Sequence, residues 1–220
     1  ALLESAGASS GEQLTELLEQ WSPDELDERF SHYLAGALAR WPDAVRRVPE
    51  RWLVRAGEGA PAPYMRWARA AELGRARGFA LEAVLVHDAL RALTHVSASG
   101  CGIDGYELAA LTREEGLPKL RTLTLDLNGL GRAGLTALAG APWFARLAAL
   151  AIDHVRLSPG GIDPLLSAPM PRLKALWSRS NGLGRADARV LARAAWPSLR
   201  LLDVRGNPLD DTAMQILRSA

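Results

Sequence analysis

The chain has 220 residues, 48% of them hydrophobic and 23% charged, and 26 lysines and arginines against 25 acids leave a formal net charge of +1. These are the values of an ordinary globular protein, long enough to bury a real core in one domain or two small ones. Balanced charge without a block of one sign excludes the electrostatic footprint of a nucleic-acid or membrane-surface binder, so neither nucleic acid nor membrane is expected as a partner. The single cysteine excludes an internal disulfide, and no apolar run has the length of a signal segment or a bilayer span, which predicts a cytoplasmic location. The chain opens at Ala1 rather than at methionine, which leaves room for a removed leader. Apart from Lys119 and Lys174 every basic residue is arginine, and alanine is abundant, as expected of GC-rich, bacterial-looking coding.

Residues 1–76 read as α-helical. Ser10 and Gln13 have the spacing of a capping box, which predicts a short helix through Leu14, Leu17, Leu18 and Trp21. Ser22-Pro23-Asp24-Glu25 is a stronger start signal, because proline suits the first helical position and acids suit the positive end of the dipole. Leu26, Phe30, Tyr33, Leu34, Ala37, Leu38 and Trp41 then fall at steps of three and four, the pattern of one buried helix face. Beyond Pro42 and Pro49, shorter helical pieces are anchored by Val45, Val48, Trp52 and Leu53. The stretch from Gly57 to Pro63 reads as a linker, and Pro63 as the opening of another helix carrying Tyr64, Trp67, Ala68 and Ala71. Tryptophans 21, 41, 52 and 67 sit at helical spacing, which suits core filling better than an aromatic binding box. Past Gly78, the apolar run Phe79 to Val86 has the length of a strand, and Asp88 to Arg91 turn the chain toward the next segment.

From there one pattern recurs. It reads Leu120-x-x-Leu123-x-Leu125-x-x-Asn128-x-Leu130, and its leading leucine returns as Leu147, Leu173 and Leu199 after 27, 26 and 26 residues. Stepping back 27 residues from Leu120 finds a fifth unit, Leu93-x-x-Val96-x-Ala98-x-x-Cys101-x-Ile103. Such a period marks a stack of supersecondary units sharing one core. Within a unit the alternation sends the fourth and sixth residues inward and the third, fifth and seventh outward. The ninth residue, Asn128, Asn181, Asn207 or Cys101, sits at the sharp turn after the strand, where an amide can satisfy unpaired backbone groups. Val155 cannot do this, so an altered turn is expected in its unit. Helical stretches come next at Gly131–Ala139, Ala186–Ala192 and Thr212–Leu217, and strand inside with helix outside makes the array curve.

The phrase Asn-Gly-Leu-Gly, at Asn128 and again at Asn181, and Cys101-Gly-Ile-Asp with its asparagine-to-cysteine exchange, resemble the ribonuclease-inhibitor type of leucine-rich repeat over residues 93–220. The resemblance implies an α/β fold: a short solenoid with parallel strands on its concave face and helices on its convex face. The expected organisation is a helical N-terminal region, 1–76, capping a repeat domain, 77–220, made of one atypical strand (residues 79–86) and about five repeats. It also implies a non-enzymatic scaffold that binds a partner protein on the concave face, without a cofactor and with no catalytic residue carried over. The alternative is a regulatory subunit or GTPase-activating module, since Ran GTPase-activating proteins share this repeat type.

Gly129-x-Gly131-x-x-Gly134 matches a dinucleotide-binding fingerprint, with Asp153 about twenty residues on. The neighbouring unit keeps Gly182 and Gly184 but drops the third glycine, and the last unit has Pro208 and Asp210 instead. A turn repeated in every unit belongs to a solenoid, so no nucleotide site is expected. His32, His87, His95 and His154 lack metal-ligand spacing, and no metal is expected either.

The outward positions map the binding face. The third positions are His95, Thr122, Ala149, Ala175 and Leu201, the fifth are Ser97, Thr124, Ala151, Trp177 and Asp203, and the seventh are Ser99, Asp126, Asp153, Arg179 and Arg205. Trp177, Arg179, Asp203 and Arg205, with Asp126 and Asp153 beside them, are the expected partner-binding residues. Two readings compete with this one. The seventh-position charges can pair internally, Asp153 with Arg179, and Ser178 can mark a distorted strand in which the Trp177 indole turns inward for the missing leucine. No polar closing element comes after Leu217, so either a cap is lacking or the exposed end pairs with another chain as a dimer.

Overall fold

The computed structural model describes residues 8–20, 28–57, 63–73, 88–112 and 117–219. Trp21, the start signal Ser22 to Glu25 and the apolar run Phe79 to Val86 lie outside them. Among these residues seven strands form one parallel sheet in sequence order: β1 Arg47–Val48, β2 Ala70–Glu72, β3 His95–Ser97, β4 Thr122–Thr124, β5 Ala149–Ala151, β6 Ala175–Trp177 and β7 Leu201–Asp203. The register aligns the units as their spacing requires: Val48, Ala71, Val96, Leu123, Leu150, Leu176 and Leu202 are successive partners on the inward row.

Two of these strands fall in the region expected to be purely helical. Steps from Val48 to Ala71 and from Ala71 to Val96 are 23 and 25 residues, shorter than the later ones, and the inward leucines have become Val48 and Ala71. Val48 and Ala71 keep the inward face of these shorter coils apolar, so the array extends through residues in which the leucine pattern is illegible. The place beside β3 that the run 79–86 was expected to take is held by Ala70–Glu72. Likewise the helix expected from Pro63 is a 3₁₀ turn, Pro63–Trp67, that ends before β2, so Ala71 is a strand residue.

Helices α1 Ala8–Glu19, α2 Glu28–Leu38 and α3 Glu50–Gly57 belong to this N-terminal part. Ser10 lies inside α1 rather than at its cap. Leu34, Leu38 and Trp41 form the buried stripe of α2 and its exit, whereas Tyr33, expected on that stripe, is 64% exposed because it falls one position off the Leu34–Leu38 axis. Trp41, Trp52, Leu53 and Trp67 join Leu90, Leu93 and the repeat leucines in one continuous core. Glu19 ties α1 to α3, accepting from Arg51 Nε at 2.6 Å and also from the Trp52 indole.

Beyond β3 the coils carry α4 Gly105–Leu111, α5 Gly131–Gly140, α6 Asp163–Leu166, α7 Arg185–Leu191 and α8 Asp211–Arg218. Asp104 caps α4, accepting from Tyr106 N and Glu107 N at 2.8 Å, while Glu107 accepts from Asp104 N at 3.1 Å. The buried Asp187 accepts from Gly184 N and, across one coil, from Gly160 N, both at 2.8 Å. The third glycine of the apparent nucleotide fingerprint has a packing role. A Cβ on Gly134 would lie 2.7 Å from Leu130 Cβ in its own helix turn and 3.6 Å from Gly105 Cα, and one on Gly105 would lie 2.9 Å from Ala133 Cβ, so glycines let α4 and α5 approach.

Candidate functional site

The outward rows are held in place by a ladder of ninth-position side chains. Asn128 Oδ1 accepts from Ile103 N at 3.0 Å, while its Nδ2 donates to Ala98 O of the preceding coil at 2.7 Å and to its own Leu125 O at 2.8 Å. Asn181 accepts from Val155 N and donates to Ile152 O, both at 2.7 Å. Asn207 accepts from Asn181 N and donates to Ser178 O, both at 2.8 Å. Cys101 takes the same place with weaker chemistry, its Sγ donating to Leu73 O at 3.6 Å, and burial pushes its thiol pKa up. Each side chain thereby satisfies buried backbone groups of two successive coils.

The Val155 unit keeps the common turn. Its eighth residue, His154, is left-handed at φ 54°, as Leu127 and Ser180 are at 59° and 52°, and Val155 is fully buried. The expected local alteration is therefore absent at this position. What the valine lacks is a donor toward the preceding coil. Separately, Asp126 Oδ1 links the same two coils by accepting from Asp153 N at 2.7 Å.

The two acids make hydrogen bonds within the scaffold, Asp153 with Arg179 as the internal-pairing reading has it. Asp153 is buried, with Oδ1 accepting from Arg179 N and Oδ2 from Arg179 Nε, both at 2.6 Å. Asp126 is half-buried, and its carboxyl pKa is raised, chiefly by burial, against the opposing effect of the Asp153 amide. Both sit at outward positions after the strand, and their carboxylates accept from the backbone and, for Asp153, from Arg179. Their signal in sequence, an acid at the seventh position, does not distinguish a backbone cap from a binding residue.

The two arginines of the seventh-position row pair with Asp203. Arg179 Nε lies 3.9 Å from Asp203 Oδ2, and Arg205 grips Asp203 with Nε at 2.9 Å from Oδ1 and Nη2 at 2.6 Å from Oδ2. These bonds from Arg205 hold the Asp203 carboxyl below the usual carboxylate range. Exposure is divided by sign: the side chains of Asp153 and Asp203 are 6% and 12% exposed, those of Arg179 and Arg205 43% and 77%. The outer tips of this network are cationic.

Trp177 lies in the outward fifth-position row, between Ala151 and Asp203 in register, and is half-buried. Ser178, the next residue, is fully buried at the inward sixth position, where its hydroxyl accepts from Asn181 Nδ2 at 3.0 Å. The serine is thus part of the ladder, and the indole does not turn inward to replace a leucine. Leu201, at the third position of β7, is 42% exposed and is in register with Ala175 and Ala149. Trp177, Leu201 and the small alanines between strands make an apolar area bordered by Arg179 and Arg205.

A second surface is not apparent from the sequence. The second-position residues continue the ladder before the strands: Ala148 N donates to Arg121 O at 2.7 Å, Lys174 N to Ala148 O at 2.8 Å and Arg200 N to Lys174 O at 2.9 Å. Lys119, Arg146 and Arg172 stand two residues before this row in their own coils. The signal is present in the period-aligned columns, but it is invisible as a linear charge block because each coil contributes only one or two cations. Among the described residues no three His, Cys, Asp or Glu side chains gather as a metal-binding group, and no helix is long and apolar enough to cross a membrane.

No family model and no curated protein matches the chain. Among solved structures it is similar to internalin C2 from Listeria monocytogenes, at 20% identity and TM-score 0.45, with 71% of each chain covered. It is also similar to the tropomodulin C-terminal domain from Caenorhabditis elegans, at 13% identity and TM-score 0.42, with 77% of this chain and 89% of that one covered. The repeat assignment rests on the chain's own features, the inward row from Val48 to Leu202 and the ladder from Cys101 to Asn207: the molecule is an α/β leucine-rich-repeat solenoid.

Proposed function

We propose that the protein is a non-enzymatic interaction module that holds a partner protein on the concave, outward face of its sheet, over Trp177 and Leu201 and against the tips of Arg179 and Arg205. The single observation that carries this reading is the position of Trp177: an indole on an outward row, flanked by Ala151, with the inward site beside it filled by Ser178. An aromatic side chain in such a place supplies much of the free energy of an interface, often about 2 kcal/mol or more on truncation. Asp203 acts by holding Arg205 in place, and Asp126 and Asp153 serve the scaffold.

The test compares capture of partners from the native organism by the wild-type protein and by Trp177→Ala. A contact residue loses the partner while the melting temperature stays nearly constant. A large drop in melting temperature with capture retained would show that the indole is core and would end this reading.

A further inference from the structure

We infer that the edge where the chain enters strands β4 to β7 is a docking rim for an acidic segment of a partner protein. This deepens the reading above and rests on it. The rim consists of Lys119, Arg121, Arg146, Arg172, Lys174 and Arg200. Strands lie about 4.8 Å apart in a sheet, so the cations of four successive coils fall within about 15 Å. No acid interrupts them: residues 117–125, 143–152, 169–179 and 195–202 contain no aspartate or glutamate. None of the six takes part in an ion pair among the described residues.

Two of the guanidiniums are oriented by the scaffold. Arg121 Nη1 donates to Arg146 O at 3.4 Å, and Arg146 Nη1 donates to Pro118 O at 3.1 Å, which crosslinks the two coils through one nitrogen of each five-donor head. The net charge of +1 hides this asymmetry, because residues 117–220 carry 14 lysines and arginines against 7 acids, whereas residues 1–116 carry 12 against 18.

A protein segment fits this rim better than the other polyanions. The rings of Trp143 and Trp196 are buried and Trp177 is a single indole, so among the described residues the rim has no row of aromatic rings on which successive bases would stack. The rim also continues directly into the apolar area of the sheet: Lys174 precedes Ala175, and Arg200 precedes the exposed Leu201. A chain with acids on one stretch and apolar residues on the next would lie across both, its carboxylates paired with the rim in a salt-dependent way.

The test is fluorescence anisotropy with a labelled oligoglutamate at low ionic strength. Wild-type protein binds it, and the triple substitution R172A/K174A/R200A weakens binding about tenfold or more without changing the melting temperature. Trp177→Ala leaves oligoglutamate binding unchanged, so failure of the rim and failure of the Trp177 reading give separate results. Equal weakening by R132A/R189A/R218A would reduce the effect to overall charge and overturn the proposal. Absence of binding by the wild type would overturn it too, as would tighter binding of single-stranded oligothymidylate or phosphatidylserine vesicles.

Discussion

Asn181 donates through Nδ2 to the hydroxyl of Ser178, three residues earlier and in the same coil, at 3.0 Å. In two other coils the corresponding amides reach a backbone carbonyl instead, Asn128 to Leu125 O and Asn207 to Val204 O. The departure of Ser178 from the apolar inward row therefore answers to the ladder.

Ser178→Ala is expected to cost about 1 kcal/mol in urea unfolding, the net value of one buried hydrogen bond. The fluorescence of Trp177 in the folded protein stays unchanged, because the indole lies on the opposite face of the strand. A neutral substitution would show that the hydroxyl has no role in the ladder.

Leu150 and Leu202 occupy equivalent inward positions but differ in surroundings: Leu150 is fully buried between neighbouring coils, and Leu202 is half-buried in the last one described. Leu150→Ala should lose roughly 2–5 kcal/mol, the range of a cavity in a tight core, and Leu202→Ala about half as much or less. Equal losses in calorimetry would mean that the outer face of β7 is as well covered as the middle of the stack.

Asp126 gives a pH-dependent test. Its folded pKa is raised above the unfolded value, so the folded protein holds this proton more tightly, and the group's contribution to stability falls as pH rises through that interval. Below the usual carboxylate range both states are protonated and the contribution no longer changes with pH. Asp126→Asn keeps an oxygen to accept from Asp153 N and removes the buried charge. Its stability relative to wild type should therefore increase with pH across the interval between the ordinary carboxylate value and the raised one, then level off. Unfolding curves at several pH values that differ by a constant amount would contradict this.

Gly105→Ala should destabilise by about 1–3 kcal/mol, the usual cost of overpacking. Its new Cβ would meet Ala133 Cβ, Gly134 N and Leu130 O, all at 2.9 Å, with backbone on two of the three sides. Thermal unfolding within a few tenths of a kcal/mol of wild type would show that α4 moves away freely.

Much of the scaffold could be read from residue spacing alone. Matching residues at 26 or 27 positions must stack if each is to be buried, so Val96, Leu123, Leu150, Leu176 and Leu202 predict their own register, and the asparagines predict a shared turn. The first two coils escaped this reading for the same physical reason. Val48 and Ala71 satisfy an inward position in a shorter coil, where burial needs an apolar side chain and not a leucine.

Only the folded arrangement decided the surfaces. Asp126, Asp153 and Asp203 all stand at outward positions in sequence, but hydrogen bonding divides them: Asp126 caps an amide, Asp153 caps an amide and binds Arg179, and Asp203 holds Arg205. The basic rim is likewise a property of stacking, because residues some 26 positions apart become neighbours only when successive coils hydrogen-bond. Periodicity along a chain determines which side chains must be buried together, whereas charge and hydrogen bonding act between coils, through distances that exist only after folding.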